Sequence, residues 1–385
     1  MNSAATSVSL KIFLAVSFAG MPGFCSTAFA FPEFVRHGYF SCTSCHVSPG
    51  GGGILTDYGR SYSAEKLSAR SSKGEEEPLH GALGGEPGQG VRRWLLVGGN
   101  MRQVQTVSEN RSARDGRWIP MQRDLELCVT GGPVIGCVTG GITKHGMREP
   151  DGKSHYGVRK ASVQIQAGES WLVRAGRFSP RFGVMVPDHN AWIQSLSGRG
   201  IDDERDQLEM TFSSEKFEAS AALDHGHSDK PEVAKGFVAN LMTPLLDTMR
   251  VGASYRLQES EASAIKTAGV FAAAGIDEKT FVLAEIDQQS IEAKVNLSAP
   301  SDGASRVASY FKTGRELSQG VIAYAVQQID LKEGGPTTAR RDMYGMGLQL
   351  FPRPHFEVDG FVGKVLSRSD FAYVNTAWLL FHDYL

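Results

Sequence analysis

From Arg92 onward, apolar and polar residues alternate in short runs separated by turn residues. In "IEAKVNL", Ile291, Ala293, Val295 and Leu297 fall on one side and Glu292, Lys294 and Asn296 on the other. "SVQIQAG" sets Val163 and Ile165 against Ser162, Gln164 and Gln166. "YGMGLQL" sets Tyr344, Met346, Leu348 and Leu350 against Gly345, Gly347 and Gln349. Successive strand side chains point to opposite faces, so each run predicts a strand with one oily and one polar side. About sixteen or seventeen such segments can be marked, each ~10 residues long, the length that crosses a hydrocarbon layer. Single-chain bacterial barrels have even strand numbers, so one split is spurious, and the weakest lies around Asp287 to Gln289. The pattern predicts an all-β fold: a transmembrane outer-membrane β-barrel of about 16 antiparallel strands.

The connections agree with that expectation. Short turns such as Gly131-Gly132-Pro133 and Ser213-Ser214-Glu215 mix with long polar loops at 144–156 and 186–206. Outer-membrane barrels have short periplasmic turns and longer outer loops. The chain ends "WLLFHDYL", an aromatic-rich final strand with Tyr384 penultimate. A secreted sandwich or solenoid is the other all-β reading, but no internal boundary or fixed repeat is visible.

Residues 1–30 read as a signal peptide. Lys11 precedes an apolar run from Ile12 to Ala19, Met21-Pro22-Gly23 breaks it, and Ala28-Phe29-Ala30 has the small-x-small form of a cleavage site. Cys25 belongs to this leader, which leaves Cys42, Cys45, Cys128 and Cys137 in an exported, oxidising setting. The formal net charge of −2 suggests no nucleic-acid partner.

Candidate chemistry concentrates in residues 31–70. Cys42-x-x-Cys45-His46 in an exported chain reads as one covalent haem c. Two thiols add to the haem vinyl groups, and the adjacent His46 reaches the iron as proximal ligand. A redox Cys-x-x-Cys pair would need a thioredoxin-like βαβ pattern, which is missing, and zinc would need two distant ligands. The sixth ligand is open among His37, His80 and Met101. Gly50 to Gly53 after the motif read either as backbone passing close to a flat cofactor or as a flexible linker. "ILTDYGRSYSAEKL", residues 54–67, predicts a turn and a short amphipathic segment, with Arg60 either exposed or paired with a haem propionate.

Residues 71–91 are polar and glycine-rich and read as a linker to a barrel at 92–385. The haem segment is therefore ~40 residues, too short to shelter a haem with its own core. Cys128 and Cys137 fall opposite each other in a hairpin centred on Gly132-Pro133, on the face assigned to the lumen with Asp124 and Glu126. Opposed Cα atoms at ~4.5–5.5 Å predict a cross-strand disulfide, with a reduced pair as the alternative. In loop 186–206, which has the length to fold into the lumen, His189, Asp202, Asp203, Glu204 and Asp206 are either cation donors or a solvated charged face.

Together these residues resemble the outer-membrane monohaem cytochrome–porin fusions, best known as iron oxidases of iron-oxidising bacteria. The resemblance rests on the leader followed by one Cys-x-x-Cys-His, on Tyr58-Gly59-Arg60, on "VRAGRFSPRFGV" (173–184) and on "LQLFPRPHFEVDGF" (348–361). It implies a porin of about sixteen strands whose lumen is plugged by the haem segment. It further implies electron transfer in the outer membrane of a Gram-negative bacterium, between an extracellular donor or acceptor such as Fe(II) and a periplasmic c-type cytochrome. The residues before the motif and the glycine run after it depart from the iron-oxidase subgroup. The second reading is a solute porin whose haem-bearing plug is a gate or redox sensor, and the third a secreted β-rich binding protein with a metal-binding tail.

Overall fold

The computed structural model describes residues 32–39, 41–70, 94–144, 153–188, 190–200, 203–226, 234–261, 263–294, 304–334, 338–369 and 372–384. The expected leader (1–30), the expected linker (71–91), His80, His189 and Asp202 lie outside them.

The described residues form a closed barrel of sixteen antiparallel strands. In chain order they are β1 (Leu95–Glu109), β2 (Arg114–Gly131), β3 (Val134–Lys144), β4 (His155–Ala167), β5 (Trp171–Phe178), β6 (Arg205–Ser213), β7 (Glu218–Asp224), β8 (Lys235–Leu246), β9 (Met249–Glu259), β10 (Ser263–Gly275), β11 (Thr280–Ala293), β12 (Ala304–Ser318), β13 (Val321–Glu333), β14 (Ala339–Arg353), β15 (Phe356–Ser367) and β16 (Tyr373–Tyr384). Each strand pairs with its sequence neighbours, and β1 closes on β16 from Asn100↔Tyr384 to Glu109↔Asn375. Even-to-odd connections are all tight turns, such as Gly132-Pro133 and Gln319-Gly320. The longest connection, residues 179–204, joins β5 to β6. The tight turns and the starts of β1 and β16's C-terminal end therefore share one rim.

Two-residue periodicity explains the wall. In β6, Arg205, Gln207, Glu209 and Thr211 are buried, while Leu208 and Met210 are exposed. Val163 and Ile165 in β4 are exposed and Gln164 is buried, and Met346 and Leu348 of β14 also point outward. A closed sheet whose outer face is apolar and whose inner face is polar is the pattern of a barrel in lipid. Trp118, Tyr156, Phe237 and Tyr255 mark the long-loop end of this outer band, and Trp94, Trp171 and Phe217 the tight-turn end. The segment split around Asp287 is resolved as one strand, β11. Ile286 points out and Asp287 in; nearer the rim Ile291 is half-buried, whereas Glu292 and Lys294 face outward and pair with Lys266 (2.6 Å) and Glu259 (3.1 Å). The polarity of the two faces inverts where the strand leaves the apolar band, and that inversion looks like a break in sequence.

The lumen is filled. Residues 32–70 form a plug of two short helical turns, a glycine turn, a helix α1 (Asp57–Tyr62) and a widened turn at Ser63–Leu67. The plug is tethered around the wall. Lys312 Nζ pairs with Glu33 at 2.9 Å and Arg36 with Glu316 at 2.9 Å. Gln164 donates to Val47 O (3.1 Å), Ala69 N to Phe351 O (2.8 Å), and Ser63 and Tyr384 share a hydroxyl hydrogen bond (3.0 Å). The penultimate aromatic thus holds the plug. Residues 179–204 also turn inward, where Gly183 N donates to Ser254 Oγ (2.8 Å) and Trp192 N to Gln328 (2.6 Å).

Plug, inward loop and wall share one apolar core. Phe34, Val35 and Leu67 of the plug meet Val184, Val186, Ile193 and Leu196 of the loop, against Phe271, Phe281, Leu283 and Tyr310 of β10–β12. A peptide of plug length cannot bury such a core by itself, because too little of its surface would be removed from water.

Candidate functional site

The motif forms a second, smaller buried cluster beside that core, with Tyr39 packed on both. Ser41 Oγ accepts from Thr43 N (3.4 Å), and Cys42 O accepts from His46 N (3.0 Å), which winds Cys42–His46 into a compact turn. The chain then doubles back, with Val47 N donating to Ile54 O (3.0 Å) and Thr56 N to Cys45 O (2.9 Å). Gly51, Gly52 and Gly53 make the reversal at φ +76°, +69° and +68°. Three successive left-handed residues are ruled out for side chains with a Cβ. The glycine run is a turn that walks backbone along the site, rather than a linker.

Thr56 then caps α1 by accepting from Gly59 N (3.1 Å). Gly59 presses on the motif, where a Cβ would lie 2.3 Å from Cys45 O. Tyr58-Gly59-Arg60 is therefore the point at which helix and motif touch. Arg60 is buried, not exposed, and reaches Val97 O of β1 at 3.5 Å.

Cys42 and Cys45 carry thiols and are buried, packed by Tyr39 and Met185. His46 is 8 % exposed, and its ring is hydrogen-bonded to the backbone of Gly52 and Gly53. Burial pushes its pKa down to about 4, so the imidazole is neutral and keeps a lone pair for a metal. Burial also pushes the Cys42 thiol up, opposed by the Arg181 and Arg250 guanidiniums.

Cys42, His46 and Gly50–Gly53 form one wall of a cavity. The other walls are β1–β5, Arg250 of β9, the end of β16 and residues of the inward loop, including Met185. The cavity is partly open to solvent. Arg102, Arg159, Lys160, Arg174, Arg199 and Arg250 make its lining cationic. Two buried thiols, a neutral buried imidazole beside the cavity and cations able to meet carboxylates form a donor set whose chemistry fits a c-type haem.

The expected distal candidates stand elsewhere. His37 ends the first helical turn, exposed at the tight-turn rim, and does not line this cavity. Glu316 and Glu278 face it there, beside Arg36 and Lys66. Its neighbour Arg36 is tied to Glu316, which fixes the turn and keeps the imidazole outward. Met101 is 42 % exposed on the outer wall, because its neighbours Asn100 and Arg102 take the inward positions. Cys128 and Cys137 pair in register and are joined as a disulfide with Cα atoms 4.1 Å apart. Among the described candidates the acids take separate partners: Asp203 accepts from Gly200 N (3.0 Å), Glu204 pairs with Arg159 (2.5 Å) and Asp206, on β6, with Arg177 (3.1 Å). Sequence reading missed Met185 and the arginine lining, since neither belongs to a motif.

Comparison with solved structures identifies the fold. The chain is similar to the loop-L8 deletion mutant of OmpT from Vibrio cholerae, with TM-score 0.59, 10% identity, and 76% of this chain and 99% of that chain covered. The outer-membrane channel DcaP of Acinetobacter baumannii matches with TM-score 0.57, 9% identity and coverages of 76% and 97%. An anion-selective porin from Comamonas acidovorans matches with TM-score 0.52, 8% identity and coverages of 76% and 99%. The fold is that of outer-membrane porins. No family model matches the chain, and no curated protein matches it.

Proposed function

We propose that this porin-like barrel lies in the outer membrane of a Gram-negative bacterium and transfers electrons through one covalent haem c held inside its lumen. The observation that carries this reading is the placement of Cys42, Cys45 and His46: an attachment motif buried in a lumen, beside a cavity that plug, inward loop and wall enclose together. Bound there, the haem would supply reversible one-electron chemistry. The chain's own residues do the rest. Cys42 and Cys45 would attach the group, neutral His46 would ligate its iron, and Arg199 and Arg250 beside Cys42 would offset its carboxylates. The shared apolar core keeps the plug seated. A periplasmic c-type cytochrome on the tight-turn side and an extracellular donor such as Fe(II) on the other are the partners this geometry suits.

Haem-stained gels of outer-membrane and soluble fractions test cofactor and place together. The expected result is one haem-positive band in the outer-membrane fraction, with oxidation of the reduced protein by an acceptor that cannot cross the membrane. A colourless, water-soluble protein refutes the proposal. The cationic lining and the likeness to an anion-selective porin favour a second reading, an anion pore gated by the plug. It predicts steady anion conductance in planar bilayers, which the electron-transfer reading does not.

A further inference from the structure

We propose that the thioether of Met185 is the distal iron ligand, opposite His46 in role, which rests on the haem reading above. Besides His46, three imidazole or thioether side chains line the cavity: His382, Met121 and Met185. His382 is spoken for at both ring nitrogens, with Nδ1 at 3.0 Å from Glu357 and Nε2 at 3.0 Å from Asn100. Met121 sits at the bulge of β2 and is not among the residues packed on the cysteine pair. Met185 lines the cavity and also packs on Cys42 and Cys45.

The backbone is shaped to put it there. Val184 and Val186, 1 % and 2 % exposed, belong to the apolar core shared by plug and wall and, like Met185, also border the cavity; only Met185 of the three packs on the cysteine pair. Met185 between them has φ +56°, one of two such non-glycine residues among those described. A left-handed unbranched residue costs about 1–3 kcal/mol and persists only where its surroundings hold it. Here they do: Val184 N donates to Glu285 (2.7 Å), Gly183 N to Ser254 Oγ (2.8 Å), and Gln194 Nε2 to Val186 O (2.8 Å). Apolar contact alone would be met by any hydrophobic side chain on relaxed backbone. A held, strained backbone that keeps one soft donor against the cysteine pair is what a ligand needs. Methionine in place of histidine would raise the haem potential.

The test uses full-length holoprotein in detergent, read by absorption and near-infrared magnetic circular dichroism of the ferric state. Wild type is expected to show the thioether-to-iron charge-transfer band of His–Met ligation. Met185→Leu should keep wild-type covalent haem by pyridine haemochrome, lose that band, turn high-spin and bind carbon monoxide when reduced. Met185→His should return a low-spin spectrum at a lower potential, and Met121→Leu should match wild type. A bis-histidine wild-type spectrum overturns the assignment and leaves the haem reading standing, as does a Met185→Leu protein that keeps the thioether band. Wild-type protein without covalent haem overturns both. If Met185→Leu does not fold, the wild-type band and Met121→Leu still decide.

Discussion

Gly59→Ala isolates the contact between α1 and the Cys-x-x-Cys-His turn. The added Cβ would sit 2.3 Å from Cys45 O, 2.8 Å from its Cα and 2.9 Å from its carbonyl carbon. All three are backbone atoms held by hydrogen bonds, so no flexible side chain can move aside. Overpacking of this kind costs typically about 1–3 kcal/mol, and at 1.4 kcal/mol per factor of ten that is roughly a 5- to 150-fold rise in the undocked fraction. Cys42 and Cys45 report it directly, being buried thiols, whereas Cys128 and Cys137 are bridged and silent. Alkylation by iodoacetamide in protein made without haem should follow the open population, so its rate should rise by the same factor. Gly52→Ala is the control: it has φ +69° but nothing within 4 Å of its Cβ, so only a backbone cost of about 1 kcal/mol applies. Equal rates for Gly59→Ala and wild type, or a larger effect from Gly52→Ala, would refute the claim that helix contact holds the motif.

Other expectations follow from ion pairs, the disulfide and a turn. Glu33→Gln leaves buried Lys312 without its carboxylate and should lower barrel stability by about 3–5 kcal/mol; in guanidinium melts, Glu33→Leu with Lys312→Met should recover part of it. Cys128→Ser with Cys137→Ser opens a crosslink of sequence separation 9, worth about 2–3 kcal/mol on chain entropy, so the melting temperature should fall while alkylation of Cys42 stays slow. Asp277, in the exposed β10–β11 turn, accepts from Lys279 N and Thr280 N, which hold its carboxyl down at about 2. A folded value below the unfolded one means that the turn's order is complete above pH ~4 and lost only as pH falls through about 2; amide exchange at Lys279 and Thr280 should therefore stay slow at pH 3 in wild type and be fast in Asp277→Asn.

The barrel was legible because lipid and lumen impose opposite polarities on alternate residues, and that signal survives in single segments such as Val163-Gln164-Ile165. The Cys42-x-x-Cys45-His46 spacing was legible because it is local in sequence. The residues that fold against it were not, and residues 179–186 show why. In "VRAGRFSPRFGV" the apolar positions Phe182 and Val184, followed by Val186, continue a wall-like alternation past the strand. The strand in fact stops at Phe178, after which Pro180 and buried Arg181, paired with Glu218, take the chain off the wall. Phe182, Val184 and Val186 remain buried at 1–2 % exposure, against plug and inner wall instead of lipid. Period two records only that neighbours face different surroundings; it does not say which surroundings. Here residues 184–186 all border the cavity beside Cys42 and His46, and the one between the two core valines packs on the cysteine pair. A residue such as Met185 therefore gains its meaning only when the plug, 140 positions upstream by sequence numbering of the motif, is folded back against it.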